Sequence, residues 1–548
     1  MTGRGLRIAS GIVAAGVILG VAELVSVLIS PDSTPLQAVG DWVVDNTPDG
    51  VREWAIDLFG TNDKLVLFVS MGAVAVGVAA LAGLLERVRR PIGSALFVAF
   101  GILSVLAALT RPPAAWTWAI PSVLGVWAGI AVLRMFTRRI AAYEDVAAES
   151  RDGAAGAAKV AADDAKVAGG DARIAGGDAE VAGVQSTTSS DVELERRQVM
   201  RAIAIAAAAG VGAGLAGRLF GLRSRDVSGE RAGVQLPSPS GPMTGVDPAA
   251  DLRIPGLASY VTPNSDFYRI DTALTVPQVS KENWSLRIHG MVDREITLTY
   301  ADLAARTPIE RLVTLACVSN PIGGDLVGNA KWLGYRLDEL LAEAGPHPDA
   351  DMVLSRSIDG WTAGSPLAVM TDGRDAMLAV GMNGEPLPVA HGYPARLVVP
   401  GLYGYVSATK WVTELEITRF DRAEAYWTKR GWSERGPIKT ASRIDTPGAR
   451  SRLEPGRITI AGVAWAQHRG ISAVEVRIDD GEWQPARLAA EPTIDSWRQW
   501  VYDWDATSGQ HTIWARATDG TGAVQTDQRR DVVPDGATGY PSITVRIG

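Results

Sequence analysis

The stretch "TLACVSNPIGG", residues 314–324, contains Cys317, the only cysteine in a chain of 548 residues. A single cysteine cannot form a disulfide within its own chain, and one thiolate cannot by itself hold a zinc ion or an iron–sulfur cluster. Free cysteine is also among the most buried residue types, so the simplest interpretation is a small apolar core residue. The choice between core residue and ligand depends on the surrounding sequence.

The sequence on both sides of this cysteine predicts a mixed α+β domain over residues 255–440. Trp284–Val292 alternates like a strand, and Leu298–Arg306 is typical of a strand end that enters a helix. Leu333–Gly345 places leucines on one helical face and ends at a glycine. Ala395–Ser407 is typical of a buried strand that enters a glycine-rich loop.

Residues 441–548 change to an all-β pattern. Two hairpins are predicted, with turns at Asp480–Gly481 and Asp519–Gly520. Roughly 100 residues of short strands favour an immunoglobulin-like sandwich. Its histidines, His468 and His511, have no partners that the sequence identifies. We therefore expect a domain for binding or dimerisation.

Residues 1–140 predict a four-helix transmembrane region. Each of four apolar runs has about the 20 residues needed to cross a bilayer as a helix. Buried soluble helices are the alternative, but the runs are almost free of charge, with Glu23 as the exception. The runs are Leu6–Ile29, Leu65–Leu85, Ile92–Leu109 and Trp116–Met135.

The positive charges around these runs predict their orientation. Arginines precede the first run, separate the second from the third and follow the fourth, which places those segments in the cytoplasm. The runs contain no histidine, so a membrane haem held by paired imidazoles is not supported. The formal net charge of the chain, −8, argues against a nucleic-acid partner.

Two segments are predicted to be linkers. Residues 141–194 include a seven-residue, Ala/Gly-rich repeat with one branched apolar residue per repeat, which favours a flexible cytoplasmic linker; a weak helical bundle is the alternative. Residues 221–254 are rich in Pro, Gly and Ser. Between them, residues 195–220 carry Arg196–Arg197 before a short apolar run. This resembles a twin-arginine export signal, with an ordinary fifth helix as the alternative.

Four blocks follow one another along the second half of the chain: "YVTPNSDFYRIDTAL" (Tyr260–Leu274), "TLACVSN", "GNAKWLGYRLDELL" (Gly328–Leu341) and "MNGEPLPVAHGYPARLVVPG" (Met382–Gly401). In this order they resemble the sulfite oxidase family of molybdopterin enzymes. The ending "GYPSITVRI" resembles that family's dimerisation domain. The resemblance covers about residues 255–548 and leaves the apolar runs outside it.

The resemblance implies a molybdenum–molybdopterin cofactor with Cys317 as the thiolate ligand of the metal, beside two sulfurs from the pterin; a soft thiolate suits such a site. Arg396 and Lys410 are then partners for the pterin phosphate, although either could be an ordinary surface cation, and His391 could be a core histidine. The positions that match the family's pterin contacts are Asn264, Phe267, Tyr268, Arg269, His391, Arg396, Ser407, Ala408, Thr409 and Lys410.

The sequence also departs from the family. Pro321 and Ile322 stand where sulfite oxidases carry an arginine pair that helps hold the substrate, and Trp361 stands where the family has a tyrosine close to the metal. Arg269 matches an arginine shared by the pterin and the oxyanion pocket. The resemblance therefore implies Cys317, Arg269 and Trp361 as catalytic residues, while a doubly charged oxyanion would have fewer cations to pair with.

The sequence thus predicts a multi-domain membrane enzyme: an all-α transmembrane region, an α+β molybdopterin-binding domain of the sulfite oxidase fold, and the sandwich. We expect oxygen-atom transfer, with an oxyanion or an S- or N-oxide as substrate and a separate electron carrier, a cytochrome or one linked to quinone. The protein would be multi-pass, with an extracytoplasmic catalytic domain and homodimers formed through the sandwich. Alternatives are an S-oxide or N-oxide reductase, or a non-catalytic membrane-anchored binding protein.

Overall fold

The computed structural model describes residues 3–30, 33–48, 50–51, 54, 58–59, 63–111, 114–167, 189–240 and 246–548. The chain divides into two compact units, Met1–Ser224 and Arg225–Gly548. The first unit is helical, and the second is built mainly of β-strands.

The first unit contains the predicted apolar helices. Five described spans are long and apolar enough to cross a membrane, and four of them contain or overlap the predicted runs. A short helix between the first two, α2, begins after Thr34, whose hydroxyl accepts a hydrogen bond from the backbone N–H of Gln37. The helices are α1 (Gly3–Ser26), α2 (Pro35–Asn46), α3 (Asp63–Leu85), α4 (Ile92–Leu109), α5 (Ala119–Val167) and α6 (Ser189–Arg225).

The prediction of a flexible linker over residues 141–194 is wrong for the parts that the structure describes. Helix α5 continues without a break to Val167, and α6 already begins at Ser189. Alanine, lysine and glutamate are strong helix formers, and they outweigh the isolated glycines at 153 and 156. The repeat's two Gly-Gly pairs lie in residues 168–188, outside the described residues.

The segment predicted as a signal or a fifth helix lies inside α6, which packs closely on α1. A Cβ atom added at Gly20 would lie 2.2 Å from the carbonyl oxygen of Gly210, and one added at Gly217 would lie 2.8 Å from the backbone of Glu23. Val199 of α6 is buried in an apolar cluster with side chains of α1 and α5. Glycines permit such close helix contacts in membranes, so α6 is packed as a member of the helical unit.

The predicted linker over residues 221–254 is also wrong, because its described part beyond α6 is packed on the second unit. We call residues 226–240 the strap; it includes α7 (Ser228–Ala232). The carboxylate of Glu230 accepts hydrogen bonds from the Tyr393 hydroxyl at 2.6 Å and the Ser280 hydroxyl at 2.6 Å. Arg231 donates to the carbonyl oxygen of Pro386 at 2.6 Å. The Pro/Gly/Ser content of the strap does not indicate that Glu230 and Arg231 anchor it.

The α+β part of the second unit contains two sheets around a large apolar core. The first sheet has the strand order β2-β1-β10-β5-β6, in which β1 and β10 are parallel, and the second has the order β3-β4-β7-β8, with β9 paired to β7. The strands are β1 (Ser285–Gly290), β2 (Ile296–Thr299), β3 (Ile309–Ala316), β4 (Val327–Arg336), β5 (Met352–Ser357), β6 (Thr362–Pro366), β7 (Met377–Met382), β8 (Glu385–Pro386), β9 (Arg396–Val398) and β10 (Val412–Thr418).

Four short helices connect these strands: α8 (Tyr300–Leu303), α9 (Leu337–Ala344), α10 (Leu367–Thr371) and α11 (Gly404–Ser407). The predicted helix within Leu333–Gly345 is confirmed in its second part. Leu337, Leu340 and Leu341 are buried, and the helix ends at Gly345 in a left-handed conformation. The first part of that stretch instead completes β4, whose residues are nearly all buried.

The C-terminal region is a sandwich of two sheets that share one apolar core. Their strand orders are β11-β13-β17-β16 and β12-β19-β18-β14-β15. The strands are β11 (Ala441–Thr446), β12 (Arg452–Leu453), β13 (Gly456–Trp465), β14 (Ile471–Ile478), β15 (Gln484–Pro485), β16 (Arg487–Leu488), β17 (Arg498–Ala506), β18 (Gly509–Asp519) and β19 (Ser542–Ile547).

One predicted hairpin of the sandwich is confirmed, and the other is present only as a short turn. Strands β14 and β15 pair antiparallel around Asp480–Gly481. At Asp519–Gly520 the chain reverses through an antiparallel bridge between Thr518 and Val524, with backbone hydrogen bonds from Asp519 to Ala523 and from Gln525 to Ala517, while the long pairings of β18 are with β14 and β19. The Asp519 carboxylate holds this turn by accepting hydrogen bonds from the loop backbone and from Arg469.

The two sandwich histidines do have partners. Nδ1 of His468 lies 3.2 Å from Asp495, and Nδ1 of His511 lies 2.7 Å from Asp479. Both pairs join residues distant in sequence, so adjacent residues could not indicate them.

Candidate active site

Cys317 follows directly after β3, where the chain leaves the sheet and turns. Its backbone N–H donates to the carbonyl oxygen of Leu326 at 2.9 Å, and its own carbonyl accepts from Asn320 at 3.2 Å. The side chain is 9% exposed. Burial raises the pKa of the Cys317 thiol, although hydrogen bonds from Ser319 and the charge of Lys410 favour the thiolate. A thiolate at this position therefore needs further positive charge, such as a metal ion.

The sandwich holds β3, and with it the cysteine, in place. The Thr314 backbone N–H donates to the carbonyl oxygen of Asp495, and its hydroxyl accepts from the backbone N–H of Trp497 at 2.7 Å. Gln467 donates to the carbonyl oxygen of Thr314 at 2.8 Å. Three sandwich residues thus fix one residue of β3, three positions before Cys317.

Four of the predicted positions form an aromatic and amide cluster. Phe267 stacks on Tyr268 at 5.3 Å and meets the His391 ring edge-on at 5.7 Å. Trp332, which lies outside the predicted cofactor positions, meets Phe267 edge-on at 5.7 Å. The Asn264 side chain accepts a hydrogen bond from Asn383 at 2.8 Å. The cluster makes one firm wall of the site.

His391 is buried and presents a free acceptor. Its Nε2 lies 3.3 Å from the carbonyl oxygen of Asn264, and because a carbonyl only accepts, Nε2 carries the hydrogen. The other ring nitrogen, Nδ1, is buried and has no hydrogen-bond partner among the described residues. Burial, with Arg396 and Lys410 nearby, lowers the pKa of His391 to about 4. The ring is therefore neutral near pH 7, and Nδ1 can accept a hydrogen bond from a bound group.

Three cations meet in this region with one carboxylate between them. Asp271 accepts from Arg269 at 2.8 Å and from Lys410 at 3.1 Å. Arg396 is buried, lies 5.0 Å over the Trp332 ring, and directs its hydrogen bonds to backbone carbonyls. Burial lowers the pKa of Arg396 to about 10 and, despite Asp271, that of Lys410 to about 8.

The loop that follows α11 carries the other predicted positions. Ser407 donates to the carbonyl oxygen of Tyr403 at 2.9 Å, and the Thr409 hydroxyl lies 2.7 Å from that of Ser355. The Ala408 carbonyl oxygen accepts a long hydrogen bond from Arg396. Gly392, with a φ of +110°, lets the chain before Arg396 approach, since a Cβ there would lie 3.2 Å from the Cα of Lys410.

The structure thus brings most of the predicted cofactor positions together, but Trp361 takes part in none of the contacts described above. Trp361 lies just before β6, where its carbonyl oxygen accepts from the backbone N–H of Ser357 at 2.9 Å. It is not among the residues that line the cavity beside Cys317. Its role near a metal stays a prediction, as does that of Arg269, whose side chain is partly exposed.

A cavity of about 220 Å³ opens beside Cys317, and the described residues that line it include none of the predicted pterin-contacting positions. One wall is the loop after the cysteine, and the other comes from the sandwich. Tyr403 and Lys439 line it and were missed by sequence reasoning. Tyr403 stands in a glycine-rich loop whose function the sequence assigned only from residue 407 onward. Lys439 precedes the sandwich by two residues, and nothing in its neighbours marks it.

The donor set suits an anionic cofactor with a sulfur-ligated metal. The three cations exceed the single carboxylate of Asp271, and the Nδ1 atom of His391 offers an acceptor to a polar ring edge. Among the described residues, no group of three or more His, Cys, Asp or Glu side chains could hold a metal ion. A metal at Cys317 would therefore take its other ligands from the bound group.

Comparison with known proteins agrees with this donor set. Residues 273–427 match the family described as "Oxidoreductase molybdopterin binding domain". The mitochondrial sulfite oxidase of Drosophila melanogaster is 30% identical over 323 residues, which are 49% of this chain and 56% of that protein. The uncharacterized oxidoreductase YuiH of Bacillus subtilis is 32% identical over 153 residues, which are 28% of this chain and 74% of YuiH. The chain belongs to the sulfite oxidase family of molybdopterin oxidoreductases.

This membership confirms the predicted resemblance and the molybdenum–molybdopterin cofactor. The human mitochondrial sulfite oxidase is 28% identical over 303 residues, which are 46% of this chain and 55% of that enzyme. The chain spans about half the length of these sulfite oxidases. Among solved structures, the sulfane dehydrogenase SoxCD of Paracoccus pantotrophus aligns with a TM-score of 0.47 and 26% identity, over 52% of this chain and 81% of that chain.

Proposed function

We propose that this protein is a membrane-anchored oxidoreductase that transfers an oxygen atom at a molybdenum–molybdopterin cofactor held by Cys317. The observation that carries the proposal is the buried excess of positive charge beside a single thiol. Burial lowers the pKa values of Arg396 and Lys410; Asp271 offsets this only in part for Lys410, and no carboxylate is paired with Arg396 among the described residues.

Each predicted residue has a task in this proposal. Cys317 ligates the metal, Arg396 and Lys410 bind the pterin phosphate, and His391 accepts a hydrogen bond from the pterin. The family resemblance places Arg269 at the pterin and Trp361 close to the metal, and neither residue lines the cavity beside Cys317. Bound there, the cofactor supplies two-electron oxygen-atom transfer, in which sulfite and water give sulfate, two protons and two electrons, or an S-oxide, two protons and two electrons give a sulfide and water.

The electrons are exchanged with a separate carrier, a cytochrome or a protein linked to quinone. Among the described residues, clustered metal ligands for a second redox centre are absent. The carrier would reach the catalytic domain from the side of the membrane on which that domain lies.

The membrane proposal rests on the five apolar helices and on the arginines that flank them. An odd number of crossings from a cytoplasmic N-terminus puts the catalytic domain outside the cytoplasm. The twin arginine Arg196–Arg197 would direct a folded domain to export. The glycine contacts between α6 and α1 support a helix that remains in the bundle after export.

For the C-terminal region we propose an immunoglobulin-like dimerisation domain. Its two antiparallel sheets around one core support this, and the contacts of Thr314 add a second task, since they position β3.

A second candidate reaction is the reduction of an S-oxide or N-oxide at the same metal. It is favoured by Pro321 and Ile322, which put apolar surface rather than arginines beside Cys317. A non-catalytic binding protein on this scaffold is the alternative from another class.

Metal and pterin analysis of the full-length protein, followed by turnover assays with sulfite and with sulfoxides and artificial electron carriers, tests the proposal. We expect one molybdenum per chain and activity with at least one of these substrates. Cys317→Ser should lose more activity than the roughly 10- to 100-fold typical of residues that only support a ligand. Protein made in a cofactor-competent host without molybdenum or pterin would instead support the binding protein.

A further inference from the structure

The cavity beside Cys317 differs in charge from the cofactor region. Among the described residues that line it, Lys439 has the one cationic side chain. Its ammonium group donates to Asp535 at 2.8 Å and to the carbonyl oxygen of Gly536 at 2.7 Å. The charge of Lys439 is therefore already paired, and the cavity offers a bound anion little net positive charge.

Apolar groups form much of the same wall. Ile322 and Pro321 come from the loop after Cys317, and Trp465 and Val524 come from the sandwich. Ile322 packs closely against Gly539, since a Cβ atom added at Gly539 would lie 2.9 Å from the Cδ1 of Ile322. A substrate with an apolar substituent gains binding free energy when that substituent is buried against this wall.

Tyr403 supplies a polar group at the same cavity. Its ring lines the cavity wall, and its phenol group carries a hydrogen that it can donate. Burial, with a smaller contribution from Asp535, raises the pKa of Tyr403 to about 12, so the group is protonated at neutral pH. A side chain at Gly536 would displace the phenol, since its Cβ would lie 2.8 Å from the Tyr403 oxygen.

Resting on the function proposed above, we propose that this cavity selects an uncharged substrate, one with an apolar substituent and one oxygen that accepts from the Tyr403 hydroxyl. Ile322 and the paired Lys439 disfavour doubly charged oxyanions. A sulfoxide fits this description, because its reduction consumes two protons and two electrons from the carrier and yields a sulfide and water.

The single cysteine permits a test that needs no activity. Cofactor-free full-length protein is alkylated with neutral iodoacetamide or anionic iodoacetate, and the ratio of the two rates is divided by the ratio for a free thiol. Thiolate fraction cancels in this ratio. Lys410 acts on the thiol equally in every variant, so the readout is the change between variants: we expect Ile322→Arg to lower the normalised iodoacetamide-to-iodoacetate ratio at least about fivefold, because a cation beside the thiol on the cavity side attracts the anionic reagent. Ile322→Leu is the matched control and should leave the ratio unchanged.

Turnover of the cofactor-loaded protein is the second readout. With methyl phenyl sulfoxide, Tyr403→Phe should lower kcat/KM roughly three- to tenfold, the effect of one lost hydrogen bond, at unchanged molybdenum content. Ile322→Arg should shift the ratio of kcat/KM values from the sulfoxide toward sulfite.

The two proposals fail in different ways. A ratio that does not respond to Ile322→Arg overturns the selectivity of the cavity, as does wild-type preference for sulfite, while oxygen-atom transfer still stands. Protein without molybdenum and pterin overturns the proposed function, yet the alkylation ratio still decides whether the cavity excludes anions.

Discussion

The two sides of Cys317 are built for different charges. On the cofactor side, Arg269 and Lys410 share the carboxylate of Asp271, and the buried Arg396 donates only to backbone carbonyls among the described residues. On the cavity side, the charge of Lys439 is matched by Asp535. The first side holds more positive charge than the protein itself can pair, and the second is close to neutral. In our proposal, Cys317 therefore lies between a permanently bound anionic cofactor and an uncharged substrate.

The two sides also differ in origin. The cofactor side belongs to the α+β part alone, whereas the cavity takes one wall from that part and the other from the sandwich. A change in the sandwich can therefore alter the substrate side and leave the cofactor contacts as they are.

The largest effect should come from removing a cation on the cofactor side. Arg396→Gln should weaken cofactor binding by about 2–5 kcal/mol, since it removes the buried cation that we propose to pair with the pterin phosphate. That is roughly a 30-fold to few-thousand-fold loss of affinity. Pterin retained by the purified protein after extended dialysis measures it, with Arg287→Gln, a surface arginine paired to Glu295, as the control.

The normalised alkylation ratio of Cys317 in cofactor-free protein should be unchanged by Arg396→Gln. A large shift in that ratio would show that the two sides are not electrically separate.

The next effect is the pH dependence that Lys410 gives to cofactor binding. Burial lowers the pKa of Lys410 to about 8. Below that pH Lys410 is already an ammonium ion, and the affinity for the cofactor should be constant. Above it, Lys410 is a neutral amine that must take up a proton from solution when the anionic cofactor binds. Affinity should therefore fall as pH rises through 8, by up to about tenfold per unit. Cofactor retention between pH 7 and 9.5 measures the fall, and Lys410→Met should be weaker throughout and independent of pH in this window.

Much of the cofactor side could be predicted from the sequence, because its residues lie in short stretches that follow the order known from the family. Asn264 to Arg269, Cys317 and His391 to Lys410 occupy three short stretches, and the fold brings them together. The cavity side could not be predicted in the same way. Tyr403 and Lys439 meet across a boundary between folded parts, and the pairing of Lys439 with Asp535 joins residues 96 positions apart.

The errors in the fold have related causes. The Ala/Gly-rich composition of the repeat predicts a linker, yet the high helix propensity of alanine extends α5 to Val167. The first Gly-Gly pair of the repeat comes only after that residue. The strap was assigned from its Pro, Gly and Ser content, while its position depends on Glu230 and Arg231. Composition averages over a segment, but a few charged hydrogen bonds decide where the segment lies.

The smallest effect should come from the strap, which supports the cofactor side from outside. Tyr393→Phe removes one of the donors to Glu230, whose pKa lies below the ordinary range; burial opposes this, but hydrogen bonds from Ser280, Tyr393 and the Lys281 backbone outweigh it. A hydrogen bond to a charged group is worth about 1.5–3 kcal/mol, so the free energy of unfolding should fall by about that amount. Because His391 lies two residues before Tyr393, pterin retention should also fall, though less than in Arg396→Gln. Ser280→Ala, which removes another donor to the same carboxylate, should act in the same direction. The alkylation ratio of Cys317 should not move in either variant, since the strap contributes no described residue to the cavity. A Tyr393→Phe protein that unfolds and retains pterin like the wild type would mean that the strap rests on the cofactor side without supporting it.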